Sequence, residues 1–123
     1  MLGFRQILGR SGEDSAVKYL RKKRYRVIAR NYRNKFGEID IIAENRGVIA
    51  FIEVKTRSGV GYGSPKESVT EKKQRSISMV ALSWLKIHNK MNDSARFDVV
   101  SIVTVDKKTT IELVKNAFDL KFG

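Results

Sequence analysis

No cysteine occurs anywhere in the 123 residues. That excludes a disulfide framework and any thiolate metal centre, zinc fingers included, and it agrees with a reducing compartment. Long apolar runs are also missing. The longest, VIAFI at 48–52, falls far short of the ~20 residues that cross a bilayer as a helix, so no membrane partner is expected. The opening stretch MLGFRQILGR carries an arginine inside its short apolar patch and no small-residue cleavage site behind it, so it does not read as a secretory signal. Together these features point to the cytoplasm. Histidine is reduced to His88, placed near the end of a helical pattern where packing or capping accounts for it, and no Ser-His-Asp motif accompanies it. GVGYGS at 59–64 lacks the second spacing of a dinucleotide-binding loop. Acidic residues, finally, are outnumbered: 13 Asp and Glu against 25 Lys and Arg leave a formal charge of +12. Such a balance favours a polyanionic partner, with nucleic acid the leading candidate.

The positive excess is concentrated. Lys18, Arg21, Lys22, Lys23, Arg24, Arg26, Arg30, Arg33 and Lys35 follow one another with no acidic residue among them, and Tyr19, Tyr25, Tyr32 and Phe36 interleave. A run of this kind suits a phosphate backbone; it also suits a solvated helix end running into an edge strand.

No internal repeat, low-complexity tract or linker divides the chain, and its length is near the commonest domain size, so residues 1–123 read as a single domain. Ser11 with Asp14 three residues on resembles a capping box and predicts a helix from there to about Arg24. Strands are predicted at about Arg26–Tyr32, Glu38–Glu44 and Val48–Thr56, with RNKFG and NRG as the turns between them. SGVGYGSP at 58–65 is a Gly-rich loop, and helical spacing fills about Glu67–Asn89. Strands at Phe97–Val105 and Thr110–Val114, either side of a turn at Asp106–Lys108, complete the pattern. The order α, β, β, β, α, β, β predicts an α/β or α+β protein with helices packed on a central mixed sheet.

Within this frame four charges stand out in GEIDIIAENRGVIAFIEVKTR, residues 37–57. Side chains alternate between the faces of a strand. Glu38 and Asp40 are therefore expected on one face with Ile39 and Ile41 on the other. In the next strand Ile49, Phe51, Glu53 and Lys55 oppose Val48, Ala50, Ile52 and Val54. Pairing through NRG would bring Asp40, Glu53 and Lys55 to one patch, where uncompensated burial would cost several kcal/mol. Helical spacing adds Glu13, on the stripe of Ala16, Val17 and Leu20. It also adds Lys73, on an arc with Val69, Ile77, Val80, Trp84 and Ile87, while Lys72 points outward. Plainer readings stand beside these: a half-exposed sheet with scattered charges, a Glu13 favoured by the helix dipole, a snorkelling Lys73. Trp84 reads as core, and Asp98 beside Arg96 is expected to pair locally.

Asp40, twelve intervening residues, then Glu53-Val54-Lys55, with Glu13 before and Lys73-Gln74 after, resembles the PD-(D/E)XK nuclease superfamily. More narrowly, Gly12-Glu13 with Ala16, Asn31-Tyr32-Arg33, GEIDIIA at 37–43, FIEVKTR at 51–57, Val69-Thr70, Lys73-Gln74-Arg75 and RFDVV at 96–100 resemble the bacterial YraN family, UPF0102, small proteins similar to archaeal Holliday junction resolvases. The likeness spans about residues 10–105. It implies a restriction-endonuclease-like core of order αβββαβ and a metal-dependent endonuclease acting on DNA, branched structures such as four-way junctions included. It further implies Mg²⁺ or Mn²⁺ on Asp40, Glu53 and the carbonyl of Val54, a donor set of hard oxygens that suits such ions. Lys55 would then orient the attacking water and stabilise charge on the phosphate, and Glu13 would bind metal directly or through water. Lys73 and Gln74 would steady the carboxylates or the scissile phosphate. Lys18, Arg21, Lys22, Lys23, Arg24, Arg33 and Arg57 are the expected nucleic-acid contacts, and a homodimer would supply the two active sites that symmetric cutting of a junction requires. The alternative is a nucleic-acid-binding module of the same fold with weak or no cleavage, an RNA- or ribosome-associated role included.

Overall fold

Helix α1 (Phe4–Lys22) leads into strands β1 (Arg26–Asn34), β2 (Gly37–Asn45) and β3 (Val48–Ser58) in the computed structural model, which describes residues 4–61 and 63–121. A 3₁₀ turn (Pro65–Ser68), helix α2 (Glu71–Ile87) and strands β4 (Ala95–Val105) and β5 (Lys108–Phe118) follow. This is the mixed α/β class and the element order that the sequence predicts. The five strands form one sheet in the order β1-β2-β3-β4-β5. Neighbours are antiparallel except β3 and β4, which run parallel on either side of the crossover through α2.

The helices cover opposite faces. Ala16, Val17 and Leu20 of α1 pack with Ile41, Ala43, Ala50, Ile52, Val100 and Ile102. Ile77, Val80, Ala81, Trp84 and Leu85 of α2 pack with Ile39, Ile42, Ile49, Phe51, Phe97 and Val99. Strand β3 therefore alternates as expected. Strand β2 does not: Ile39 joins the α2 cluster and Ile41 the α1 cluster, so the alternation breaks at Asp40, just where the ladder with β3 stops.

Several boundaries differ from the sequence pattern, the helix ends first among them, for local reasons. Ser11 is exposed inside α1 instead of capping it, because FRQILGR ahead of it contains good helix formers and nothing interrupts the helix there. At the other end α1 closes in a Schellman arrangement: Tyr25 N–H donates to the Leu20 carbonyl at 3.0 Å and Arg24 N–H to Arg21 at 3.0 Å. Arg24 holds the left-handed conformation with φ 68 where glycine is usual, and Tyr25 and Leu20 share the α1 core. Helix α2 starts four residues later than the predicted Glu67, because Thr70 is its extended N-cap and accepts from Lys73 N–H. Its apolar arc ends at Trp84. Ile87 is 68% exposed, and His88 caps the helix with its ring stacked 4.2 Å from Trp84.

Strand β5 runs past the predicted Val114 to Phe118, whose ring stacks on Phe97 at 4.8 Å. A register shift with Asn116 at φ 54 interrupts the alternation on the way. Asp98, fully buried, accepts there from Asn116 N–H at 2.9 Å, as well as from Arg96 Nε and the Tyr25 hydroxyl. The expected pairing with Arg96 is thus one arm of a network that ties the exit of α1 to the β4–β5 edge.

Gly37, at φ 147, packs so tightly on α2 that an added Cβ would collide with Ser76 Oγ, which itself donates to the Phe36 carbonyl at 2.6 Å. Gly37→Ala combines backbone strain with that collision and is expected to lower stability by about 1–3 kcal/mol. Urea unfolding checks this; a midpoint equal to that of the parent would show that the turn relaxes freely.

Candidate metal and nucleic-acid site

The β2–β3 ladder ends at the pair Ile41 and Ile52, and the next residues outward are Asp40 and Glu53. Asp40 Oδ2 accepts from Val54 N–H at 2.8 Å, so the carboxylate takes a donor that a β2 carbonyl would otherwise meet. Glu53 is only 7% exposed. Lys55, two residues on and on the same face, places Nζ 3.8 Å from Glu53 Oε1. The other oxygen, Oε2, is buried and has no hydrogen-bond partner.

Both carboxyls are pushed up from the ordinary carboxylate range. Burial is the main cause for Glu53, which reaches about 7; the charge of Asp40 adds to the push, and Lys73 and Lys55 oppose it. Asp40 is raised chiefly by burial, against the Val54 amide bond and Lys73, which lower it; Glu13 and Glu38 push it up. Lys73 thus lies on the inward side of α2, electrostatically close to both acids.

Glu13, from α1, is mostly buried, and its Oε1 accepts from Arg30 Nε at 3.0 Å and from Asn31 Nδ2 at 2.9 Å. Arg30 also pairs with Asp14. Asn31 makes its contact from a left-handed backbone, φ 52, within an edge strand. Sequence reasoning missed both partners of Glu13, although Asn31 belongs to the NYR motif. Gln74 donates from its Nε2 to the Val69 carbonyl at 2.9 Å and so fastens the segment that leads into α2.

Do these residues fit a cation? Among the described residues no three of His, Cys, Asp and Glu gather closely enough to share one, so Glu13 does not complete a three-acid cluster. Two carboxylates do suffice for Mg²⁺ or Mn²⁺, ions that keep several waters. An unpartnered oxygen on Glu53, beside a second acid that resists sharing the site as an anion, is what a divalent cation would relieve. The donor set therefore fits.

Of the expected nucleic-acid contacts, Lys18, Arg21, Lys22, Lys23 and Arg24 are exposed and form no ion pair among the described residues. Lys23 Nζ lies over the Tyr19 ring at 5.4 Å. Further along the run the charge is partly cancelled: Arg26 pairs with Glu44, and Arg33 with Glu38 at 2.8 Å from its Nε. Arg57 follows Lys55 on β3 and lines the same cleft.

No helix among the described residues is long and apolar enough to cross a membrane. Residues 12–102, a span that takes in Glu13, Asp40, Glu53, Lys55 and Lys73, match the uncharacterised protein family UPF0102. Similar proteins include a UPF0102 protein of Desulfosudis oleivorans, 46% identical over 119 residues, which cover 97% of this chain and 95% of that protein. Another, from Persephonella marina, is 45% identical over 119 residues, 97% of this chain and 99% of its own length. A third, from Rhodococcus opacus, is 44% identical over 112 residues, 90% and 95% of the two chains. With a family match across most of its length and relatives alike from end to end, the chain belongs to the UPF0102 family.

Proposed function

We propose that the protein is a metal-dependent endonuclease that hydrolyses DNA phosphodiester bonds, branched structures such as four-way junctions among them. The observation that carries this reading is the buried Glu53 carboxyl, whose Oε2 no other donor reaches, set against Asp40, with which it shares a proton. A bound Mg²⁺ or Mn²⁺ would supply a water of lowered pKa and neutralise charge on the phosphate. Asp40, its carboxylate fixed by the Val54 amide, and Glu53 hold the ion. Lys55 faces the same patch and stabilises the phosphate oxygens as negative charge builds on them. Lys73 opposes the upward push on both carboxyls and so favours the anionic forms that bind the ion. Two such chains in a homodimer would cut a junction symmetrically.

The second reading, a DNA- or RNA-binding module of this fold without cleavage, draws support from Glu13, whose carboxylate is engaged by Arg30 and Asn31 and does not reach a metal cluster. A panel of labelled DNA duplexes, single strands, flaps and four-way junctions, incubated with Mg²⁺, Mn²⁺ or chelator, separates the two. Cutting of at least one member that stops with chelator is the expected outcome. Binding without any cutting in either metal would establish the module instead.

The exposed cluster at the end of α1 is the expected docking surface for the phosphate backbone. Replacing Arg21, Lys22 and Lys23 together by Ala, with Arg24 kept because its φ of 68 disfavours Ala, is expected to weaken DNA binding regardless of sequence. The slope of log K against log salt should flatten by about 0.9 for each phosphate that the variant no longer neutralises. Unchanged affinity would take this surface out of the interface.

A further inference from the structure

The proposed chemistry leaves unused a cleft of about 340 Å³ on the far side of Lys55. Strands β3, β4 and β5 form its floor, and Gly59, Val60, Gly61, Gly63, Pro65 and Ser68 form its wall. Lys55 lies opposite Ser101 in the parallel register, and Ser101 lies opposite Glu112 in the antiparallel one. The three polar side chains therefore cross the sheet in a single row, with Glu112 ~10 Å from Lys55 at two strand spacings. Arg57, opposite Val103, begins the next row. Glu112 is exposed and has no ion pair among the described residues.

A carboxylate at this position is unsuited to a phosphate, which it repels, although Lys55 and Arg57 at the other side attract one. It is suited to the amino edge of a nucleobase, the group from which Glu accepts when proteins read cytosine. Val103 and Val105 on the floor offer apolar surface to the plane of the base. The volume is that of a site for one small ligand, not for a duplex. We propose that the cleft takes one unpaired nucleotide adjacent to the scissile phosphate. Its phosphate lies towards Arg57 and Lys55, and its exocyclic amino group donates to Glu112. This rests on the nuclease reading for the placement of the phosphate, and it specifies the substrate class as DNA with an unpaired or extruded nucleotide at the cut.

Fluorescence anisotropy in chelator tests the cleft without any need for cutting. The probes are a duplex with one unpaired C, A, G or T at a fixed position, and the same duplex fully paired. The unpaired-cytosine probe is expected to bind about tenfold or more tighter than the paired duplex, and thymine, which lacks an exocyclic amino group, to be the weakest of the four. Glu112→Gln should move the preference towards adenine and Glu112→Ala should erase it, each variant melting with the parent because Glu112 is exposed. Equal affinity for all four bases in the parent, a preference that survives Glu112→Ala, or no DNA binding at all would overturn the proposal. Base preference in a protein that never cuts would uphold the cleft and dismiss the nuclease. Metal-dependent cutting without base preference would do the reverse.

Discussion

Glu53→Gln is expected to raise the melting temperature of the metal-free protein at pH 8 by several degrees while leaving it almost unchanged at pH 4. The sign follows from the direction of the shift. Glu53 has a folded pKa of about 7 against an ordinary 4.5, so between those values the folded state holds a proton that the unfolded state has released. The contribution to stability is fully present below pH 4.5 and is lost as the pH rises through 7. A difference of about 2.5 units at 1.36 kcal/mol each gives a change on the order of 3 kcal/mol, an upper bound because Asp40 shares the proton. Glutamine cannot ionise, so the variant lacks this loss. Comparing parent and variant at each pH, in chelator, cancels the general acid repulsion of a chain with formal charge +12. Identical curves from pH 4 to pH 9 would mean that Glu53 titrates as an ordinary surface carboxylate. Mg²⁺ or Mn²⁺ should stabilise the parent increasingly as the pH rises, because the ion binds the deprotonated form.

Lys55→Ala and Asp40→Asn should damage catalysis in different ways. Lys55 stands 3.8 Å from Glu53 and is part-exposed, so its removal deletes a cation from the patch where the phosphate would react but leaves both carboxylates in place. Divalent-ion affinity should survive, and the cleavage rate should fall by about 10²–10³, the scale observed when one electrostatic stabiliser of a transition state is lost. Asp40→Asn removes a proposed ligand, so ion binding and cleavage should disappear together while the fold persists. Single-turnover cleavage beside ion titration reads both quantities. A Lys55→Ala protein that cuts as fast as the parent would remove Lys55 from the reaction without touching the fold.

How much of this was legible in the sequence varied with the kind of signal. Strand β3 could be read because Ile49, Phe51, Glu53 and Lys55 keep a strict period of two against Ala50 and Ile52. The inward stripe of α1 was visible in the same way, and Glu13 is indeed mostly buried. What periodicity cannot show is where one strand leaves another. The break at Asp40, with Ile39 and Ile41 packed on opposite faces, depends on the end of the β2–β3 ladder. Nor can it show partners far apart in the chain. Arg30 and Asn31 reach Glu13, and Asn116 reaches Asp98, through left-handed or register-shifted backbone that leaves no hydropathy signal. The basic run shows the same limit. Its first half remains a free cationic surface among the described residues, whereas Arg26, Arg30 and Arg33 meet Glu44, Glu13 and Glu38 only once the sheet has formed.

The central claim is that the buried pair Asp40 and Glu53 is a divalent-cation site. Calorimetric titration of Mn²⁺ into the parent and into Glu53→Gln, each with a four-way DNA junction present, tests it most directly. Saturable binding to the parent that is absent from the variant is the predicted result. No binding to the parent, or equal binding to both, would contradict it.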